Sequence, residues 1–192
     1  MRADGTILVT GGSRGIGAAT ATLLAEQGNT VVIVDIAPEP LEGTQTILWP
    51  APFDVADEAA VVSGIADIET RHGPITGLVN AAGIFGKMHP VERVRMENWD
   101  REINIDLRGT FVVARSVGER MAKRRHGAIV NVASVAGMTS GPIHAYTAAK
   151  PASFRSPRRS PPNGAAVAFG SMPSPPDLPA PPRWKPGSLR AR

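Results

Sequence analysis

The sequence predicts an α/β fold with a doubly wound parallel sheet, and three observations predict it. Short apolar runs alternate with helical patterns across residues 1–150. A glycine-rich turn, Thr10-Gly-Gly-Ser-Arg-Gly15-Ile-Gly17, joins the first apolar run to the first helical one. An acid, Asp35, closes the second apolar run 18 residues after Gly17.

The elements follow in order. Ile7–Thr10 reads as a buried strand, followed by a helix through Ile16, Ala19, Thr20, Leu23 and Leu24 that Gly28 closes. Val31–Val34 is the second strand. A third lies near residues 46–53, where Pro50 and Pro52 weaken its ladder. Residues 56–71 read as a helix, and Ile75–Val79 as a fourth strand with Gly77 inside it. A longer helix covers residues 99–124, with apolar residues at 103, 107, 111, 112 and 113. Ala128–Val132 is the fifth strand. No internal repeat is present.

The chain changes character after Lys150. Residues 151–192 hold 11 of the 18 prolines and seven Arg or Lys against one acid, Asp177. The tail is therefore +6 and residues 1–150 are −2. The high pI belongs to the tail, so it gives no reason to expect nucleic acid on the folded part. Residues 1–150 read as one dinucleotide-binding domain, and 151–192 as a disordered Pro- and Arg-rich tail. The absence of cysteine excludes a disulfide framework and a thiolate metal site, and fits a reducing cytoplasm. No run is long and apolar enough to span a membrane, and no signal-peptide core follows Met1.

The motifs sit where strands end. Glycines between a strand and a helix let backbone approach a pyrophosphate, and the helix N-terminus favours the anion; simple tight packing is the alternative. This places Thr10, Gly11, Ser13, Arg14, Gly15, Ile16 and Gly17 at a dinucleotide. Asp35, with Ile36 beside it, can accept hydrogen bonds from both adenosine ribose hydroxyls, and its charge disfavours a 2′-phosphate. Arg14 pulls towards NADP, but the more direct geometry of Asp35 favours NAD. Asp54-Val55 follows the third strand, where an acid also serves as a helix N-cap. Asn80-Ala81-Ala82-Gly83 follows the fourth; its small residues allow close approach to a cofactor, or form an ordinary turn. Ser134 follows the fifth. Beyond it stand Tyr146, the only tyrosine, and Lys150 four residues on. A lysine one helical turn from a tyrosine can lower the phenol's pKa towards acid–base work, and a serine hydroxyl can hold a substrate oxygen.

Taken in order, these motifs resemble the short-chain dehydrogenase/reductase family, over nearly all of residues 1–150. The resemblance implies a Rossmann-like fold and hydride exchange between a nicotinamide cofactor and an alcohol or ketone substrate. It also implies a homotetramer or homodimer. It makes Tyr146 the general acid/base, Lys150 its partner and a ligand of the nicotinamide ribose, and Ser134 the residue that orients substrate. Asp54 of the Asp54-Val55 pair holds the adenine. Two departures stand out. Most members carry a catalytic asparagine where this chain has Asp106, and the usual Asp-Ile-Asn order reads Asn104-Ile-Asp106. Either Asp106 fills that role or a local shift brings in Asn104. The interval from Ser134 to Tyr146 is also one residue tighter than usual.

After Lys150 the family pattern should complete the Tyr/Lys helix and add a sixth strand, a lid and a seventh strand. None is legible, so the sheet is expected to stop after about five strands. Pro151 falls inside the expected helix, where it removes a backbone bond and clashes with the previous turn, costing about 3 kcal/mol. The tail also reads as the family sequence one base out of frame. If one base is lost at the seam, Ser171-Met-Pro-Ser-Pro-Pro-Asp177 is compatible with an original Val-Asn-Ala-Ile-Ala-Pro-Gly, the family's sixth-strand signature. The alternatives for the present chain are a catalytically dead fragment with weak dinucleotide binding, or a binding module acting through its basic tail.

Overall fold

A computed structural model describes residues 4–38, 48–138, 141–154 and 165–171. Six parallel strands form one sheet in the order β3-β2-β1-β4-β5-β6. They are β1 (Thr6–Thr10), β2 (Thr30–Asp35), β3 (Leu48–Pro52), β4 (Ile75–Asn80), β5 (Gly127–Ala133) and β6 (Ala165–Ser171). The helices are α1 (Gly15–Glu26), α2 (Glu58–His72), α3 (Met96–Glu102), α4 (Thr110–Arg124) and α5 (His144–Phe154). The strand order reverses between β1 and β4, which creates the switch-point crevice where ligands of open α/β sheets bind.

Alternation along the strands builds a core on each face. Ile7 and Val9 of β1 join Val31 and Ile33 of β2 against Ala21 and Ala25 of α1. Leu8, Val32 and Val34 point the other way, into a larger core with Val61 and Ile65 of α2 and Val112, Val113 and Val117 of α4. This is the period-two pattern of a sheet covered on both sides.

Several expectations need correcting. The buried face of α1 is Gly17, Ala21 and Ala25, with Leu24 partly buried against the same core, while Ile16 and Leu23 face outwards. Leu23 is 56% exposed and Ile16 is 42% exposed. Small side chains let α1 lie close to the strands, which an apolarity pattern does not register. The long helix expected over residues 99–124 is instead two helices, α3 and α4, joined by a π-helical stretch, Ile103–Gly109. β3 tolerates Pro50 and Pro52 because it is an edge strand. Helix α5 runs on through Pro151 to Phe154 rather than ending before it. The tail contributes β6, which pairs with β5 from Gly127↔Ala165 to Ala133↔Ser171. The apolar run Ala165–Phe169 was masked by the proline and arginine around it. The rest of the expected disordered tail, with all of its charge and the Val-Asn-Ala-Ile-Ala-Pro-Gly reading beyond Ser171, lies outside the described residues.

A buried polar hub ties the strand ends together. Thr10 Oγ1 donates to Asn80 Oδ1 at 3.3 Å and accepts from the N–H groups of Ala81 and Ala82 at 3.2 Å each. Asn80 Nδ2 donates to Asn131 Oδ1 at 2.9 Å and to the Thr110 carbonyl at 3.3 Å. One side chain on β4 thus connects β1, β5 and α4. Replacing it strands buried acceptors, each costly to leave unpaired. Asn80→Ala is expected to lose about 2 kcal/mol of stability, read as a lower urea midpoint with an unchanged slope.

Candidate active site

Residues from five elements meet along the C-terminal ends of the strands. The turn after β1 is closely packed. Gly11 adopts φ +63, and a Cβ there would stand 2.8 Å from Ala82 Cα, so the β1 and β4 turns touch backbone to backbone. A Cβ on Gly17 would stand 2.1 Å from the Gly11 carbonyl oxygen. Gly15 adopts φ +55 and faces open space. Glycine is required where backbone must come this close or adopt this conformation. Ser13 N–H donates to Asp35 Oδ2 at 3.4 Å, and Ile36 N–H to Asp35 Oδ1 at 2.9 Å. Ser13 Oγ is buried and has no hydrogen-bond partner among the described residues.

A cleft of about 810 Å³ runs past this turn, lined by Gly11, Arg14, Asp35, Ile36, Asp54 and Ala82, among others. Val55, Ala81, Gly83 and Asn104 also border it. Thr10 and Asn80 stand behind it in the polar hub. Asp54 Oδ1 accepts from Ala56 N–H at 2.9 Å. The N-cap of α2 is Asp57, which accepts from Ala59 and Ala60, so Asp54 is left at the cleft wall. Val55 is buried in the larger core.

Tyr146 and Lys150 stand on α5; neither lines the cleft itself, but Gly83 and Phe85 of its wall lie next to them. Lys150 Nζ lies 5.3 Å from the centroid of the Tyr146 ring, and Phe85 meets that ring edge-on at 5.1 Å. Lys150 is 6% exposed, and its ammonium stands 3.9 Å from Asp106 Oδ2. Asp106 is fully buried in the π-helical stretch, and its Oδ1 accepts from Ile84 N–H at 2.8 Å. Asp106 Oδ2 has no hydrogen-bond partner. Asn104 is exposed, so Asp106 and not Asn104 is the side chain set against Lys150. Gly83 packs closely here: a Cβ there would stand 3.2 Å from Asp106 Oδ1 and 3.3 Å from Lys150 Nζ. Ser134 Oγ accepts from Ala136 N–H at 3.2 Å. Among the described residues no hydrogen bond joins Ser134 to Tyr146.

Two residues here escape a sequence reading. Phe85 follows the Asn80–Gly83 turn in a segment with no periodicity. Glu102 is only 8% exposed and stands four residues before Asp106 on the same helical run. An acid at helical spacing ordinarily reads as a solvated face, so nothing local reveals its burial. Burial pushes the Asp106 carboxyl up, while Lys150 and the Ile84 N–H pull it back. Burial, and then the charge of Asp106, push Glu102 up against the opposing Tyr146 N–H. Burial pushes Lys150 down, and Asp106 opposes that.

The family model for short chain dehydrogenase matches residues 5–154, and the chain belongs to this family of oxidoreductases. Levodione reductase of Leifsonia aquatica is 38% identical over 157 residues, covering 77% of this chain and 59% of the relative. The crystal structure of levodione reductase superposes with a TM-score of 0.74 at 34% identity, over 80% of this chain and 63% of that one. A 3-oxoacyl-(acyl-carrier protein) reductase from Brucella melitensis, solved with bound NAD, gives a TM-score of 0.70 at 35% identity, over 78% of this chain and 61% of that one. An inactive 2-(S)-hydroxypropyl-CoM dehydrogenase 2 of Xanthobacter autotrophicus is 45% identical over 105 residues, covering 53% of this chain and 44% of the relative. The chain spans about three fifths of the length of the first curated relatives it matches.

The buried Asp106–Lys150 pair makes stability depend on pH. A carboxyl raised in the fold stabilises it when protonated, and that contribution is lost as pH rises through the raised value. Lys150→Met removes the cation that offsets the Asp106 carboxylate. The variant is expected to be less stable at neutral pH by about 3 kcal/mol. The deficit closes as pH falls through the raised Asp106 value, because the neutral carboxyl needs no cation. Urea unfolding across a pH series checks this; a deficit that does not vary with pH contradicts it.

Proposed function

We propose that this chain carries the active site of an NAD-dependent oxidoreductase that interconverts a secondary alcohol and a ketone. The observation that carries the reading is the Tyr146–Lys150 pair on one face of α5, next to Gly83 and Phe85, which line the cleft that Gly11 and Arg14 of the glycine turn also border. The residues present fit a dinucleotide. Gly15 leaves an open cradle, and the orphaned Ser13 hydroxyl is a donor for a phosphate oxygen. Thr10, Gly11, Ser13, Arg14, Gly15, Ile16 and Gly17 would hold the pyrophosphate end. Asp35 and Ile36 would take the adenosine ribose, Asp54 and Val55 the adenine, and Asn80–Gly83 the nicotinamide half. Asp35 would favour NAD over NADP because a carboxylate at the end of β2 repels a 2′-phosphate.

The bound cofactor supplies or accepts the hydride. In this proposal Tyr146 is the general acid/base, passing the proton to or from the substrate oxygen. The Ser134 hydroxyl, whose oxygen already accepts from Ala136, keeps its own proton free to donate to that oxygen. Lys150 places positive charge beside the phenol, where it favours negative charge developing on the tyrosine oxygen. Asp106 is a positioning residue: it holds Lys150 from the π-helical stretch. A quinol or acyl-chain substrate fits the same chemistry. As in the family resemblance, the working assembly is a homodimer or homotetramer of a cytoplasmic enzyme.

A second reading has a specific observation behind it. Pro151 stands inside α5 directly after Lys150, and the chain covers only part of its relatives' length. The chain would then bind dinucleotide without turnover. Its origin would be a one-base frame change after Lys150, which the encoding DNA tests: no single-base change restoring a long continuation sinks that origin. Tail-dependent, salt-sensitive retention on DNA or anionic lipid would instead favour a binding module.

Turnover separates the first two readings. NADH oxidation with a ketone panel is expected to be measurable for the full chain. Tyr146→Phe is expected to lower kcat by about 10²-fold or more while leaving NADH binding unchanged. Binding without any turnover in the unsubstituted chain supports the second reading and defeats the first.

A further inference from the structure

A second cavity, about 700 Å³ in volume, opens beside the start of α5. Its walls come from the segment after β4, from α3 and from Pro142–Ala145, which leads into Tyr146. Two bonds fix one wall: His89 N–H donates to the Pro142 carbonyl at 3.1 Å, and His144 Nε2 stands 3.1 Å from the His89 carbonyl oxygen. Phe85 lines both this cavity and the first cleft and meets the Tyr146 ring edge-on, so the phenyl group of Phe85 is what stands between a ligand seated here and the tyrosine.

The charges around this cavity are sorted. Lys87, Arg93, Arg95 and Arg101 all line it, and Glu102 is the one acid among its lining residues. The acids Glu97 and Asp100 of α3 border the other cleft instead. A group of exposed cations is ordinarily a solvated face, and an isolated one contributes little. The pairing pattern argues against that reading here. On α2, the π-helical stretch and α4, Arg71 pairs with Asp67, Arg108 and Arg115 with Glu58, and Arg120 and Arg124 with Glu69. Around the cavity, Lys87, Arg93 and Arg101 have no acid within ion-pair distance among the described residues. Arg95 has only an exposed contact with Glu97 at 3.6 Å. Glu102 is one acid against four cations, so it leaves most of their charge unbalanced. The cations stand on a body whose residues 1–150 are net −2, so their excess is local. A concave site lined by one sign of charge concentrates ligands of the other.

We propose that the substrate bears an oxyanion, a carboxylate or a phosphate, held among Lys87, Arg93, Arg95 and Arg101 while its carbonyl or alcohol carbon lies beside Tyr146. This rests on the oxidoreductase reading for the reaction, but the anion site itself is testable by binding alone. Trp99 lines the cavity, so its fluorescence reports occupancy. The full chain is titrated with acetoacetate against methyl acetoacetate, and with dihydroxyacetone phosphate against dihydroxyacetone. Each pair differs in one charged group, and the two pairs tell a carboxylate site from a phosphate site. At least one anion is expected to half-saturate at about tenfold lower concentration than its neutral partner, about 1.4 kcal/mol. The preference is expected to shrink at about 0.5 M salt, through screening, and to vanish in the double variant Arg93→Gln/Arg101→Gln. The salt arm needs no variant, so misfolding of the double variant cannot hide the answer. Equal affinity for charged and neutral partners, no binding of any probe, or a preference indifferent to salt overturns the proposal. If the anion preference is present but no ketone is reduced, the reaction reading fails and the anion site stands.

Discussion

The site depends on the buried hydrogen bonds between Thr10 and Asn80. In an open parallel sheet the strand ends carry backbone groups that no further strand residue satisfies. Here one threonine hydroxyl accepts two amide protons from the turn after β4, and one asparagine reaches both β5 and α4. The glycine turn, the Asn80–Gly83 turn and the strand leading to Ser134 are therefore held in one register. Gly11 completes the constraint, because only a residue without a side chain lets the β1 turn rest on Ala82. Removing these bonds would leave the strands paired but the turns free to drift. Catalytic geometry tolerates about 1 Å of such drift poorly.

The same end of the sheet carries an electrostatic conflict. Lys150 and Asp106 are both withdrawn from water, and their closest atoms are 3.9 Å apart, beyond hydrogen-bonding distance. Desolvation acts on both groups and attraction only partly offsets it. The π-helical stretch at Ile103–Gly109 puts Asp106 at this position, and such bulges are frequent at functional sites. An acid at this point differs from an amide in kind. It carries charge to Lys150, and through Glu102 it links the interior of the site to the wall of the second cavity.

Much of this was legible in the sequence, for identifiable reasons. The first five strands, the glycine turn and the strand-terminal residues Asp35, Asn80 and Ser134 announce themselves by apolar runs ending in small or polar residues. Tyr146 and Lys150 announce themselves by spacing. What stayed hidden depends on packing. The buried face of α1 is made of Gly17, Ala21 and Ala25, whose value is their lack of size. Glu102 looks like any surface acid until the fold closes over it. The choice between Asn104 and Asp106 turned on a π-helical stretch that changes which residue faces α5. β6 lay within a segment whose prolines and arginines dominate its composition, so a short alanine-rich strand did not stand out.

The central claim is the proposal that the cleft beside the glycine turn is a dinucleotide site. NADH fluorescence titration of the full chain, beside Gly17→Val, tests it most directly. A side chain at that position would begin 2.1 Å from the Gly11 carbonyl oxygen, so the variant cannot keep the turn as it stands. The account predicts saturable NADH binding that Gly17→Val abolishes while its far-ultraviolet circular dichroism stays folded. Absence of NADH binding to the unsubstituted chain, or binding that a folded Gly17→Val leaves intact, would contradict it.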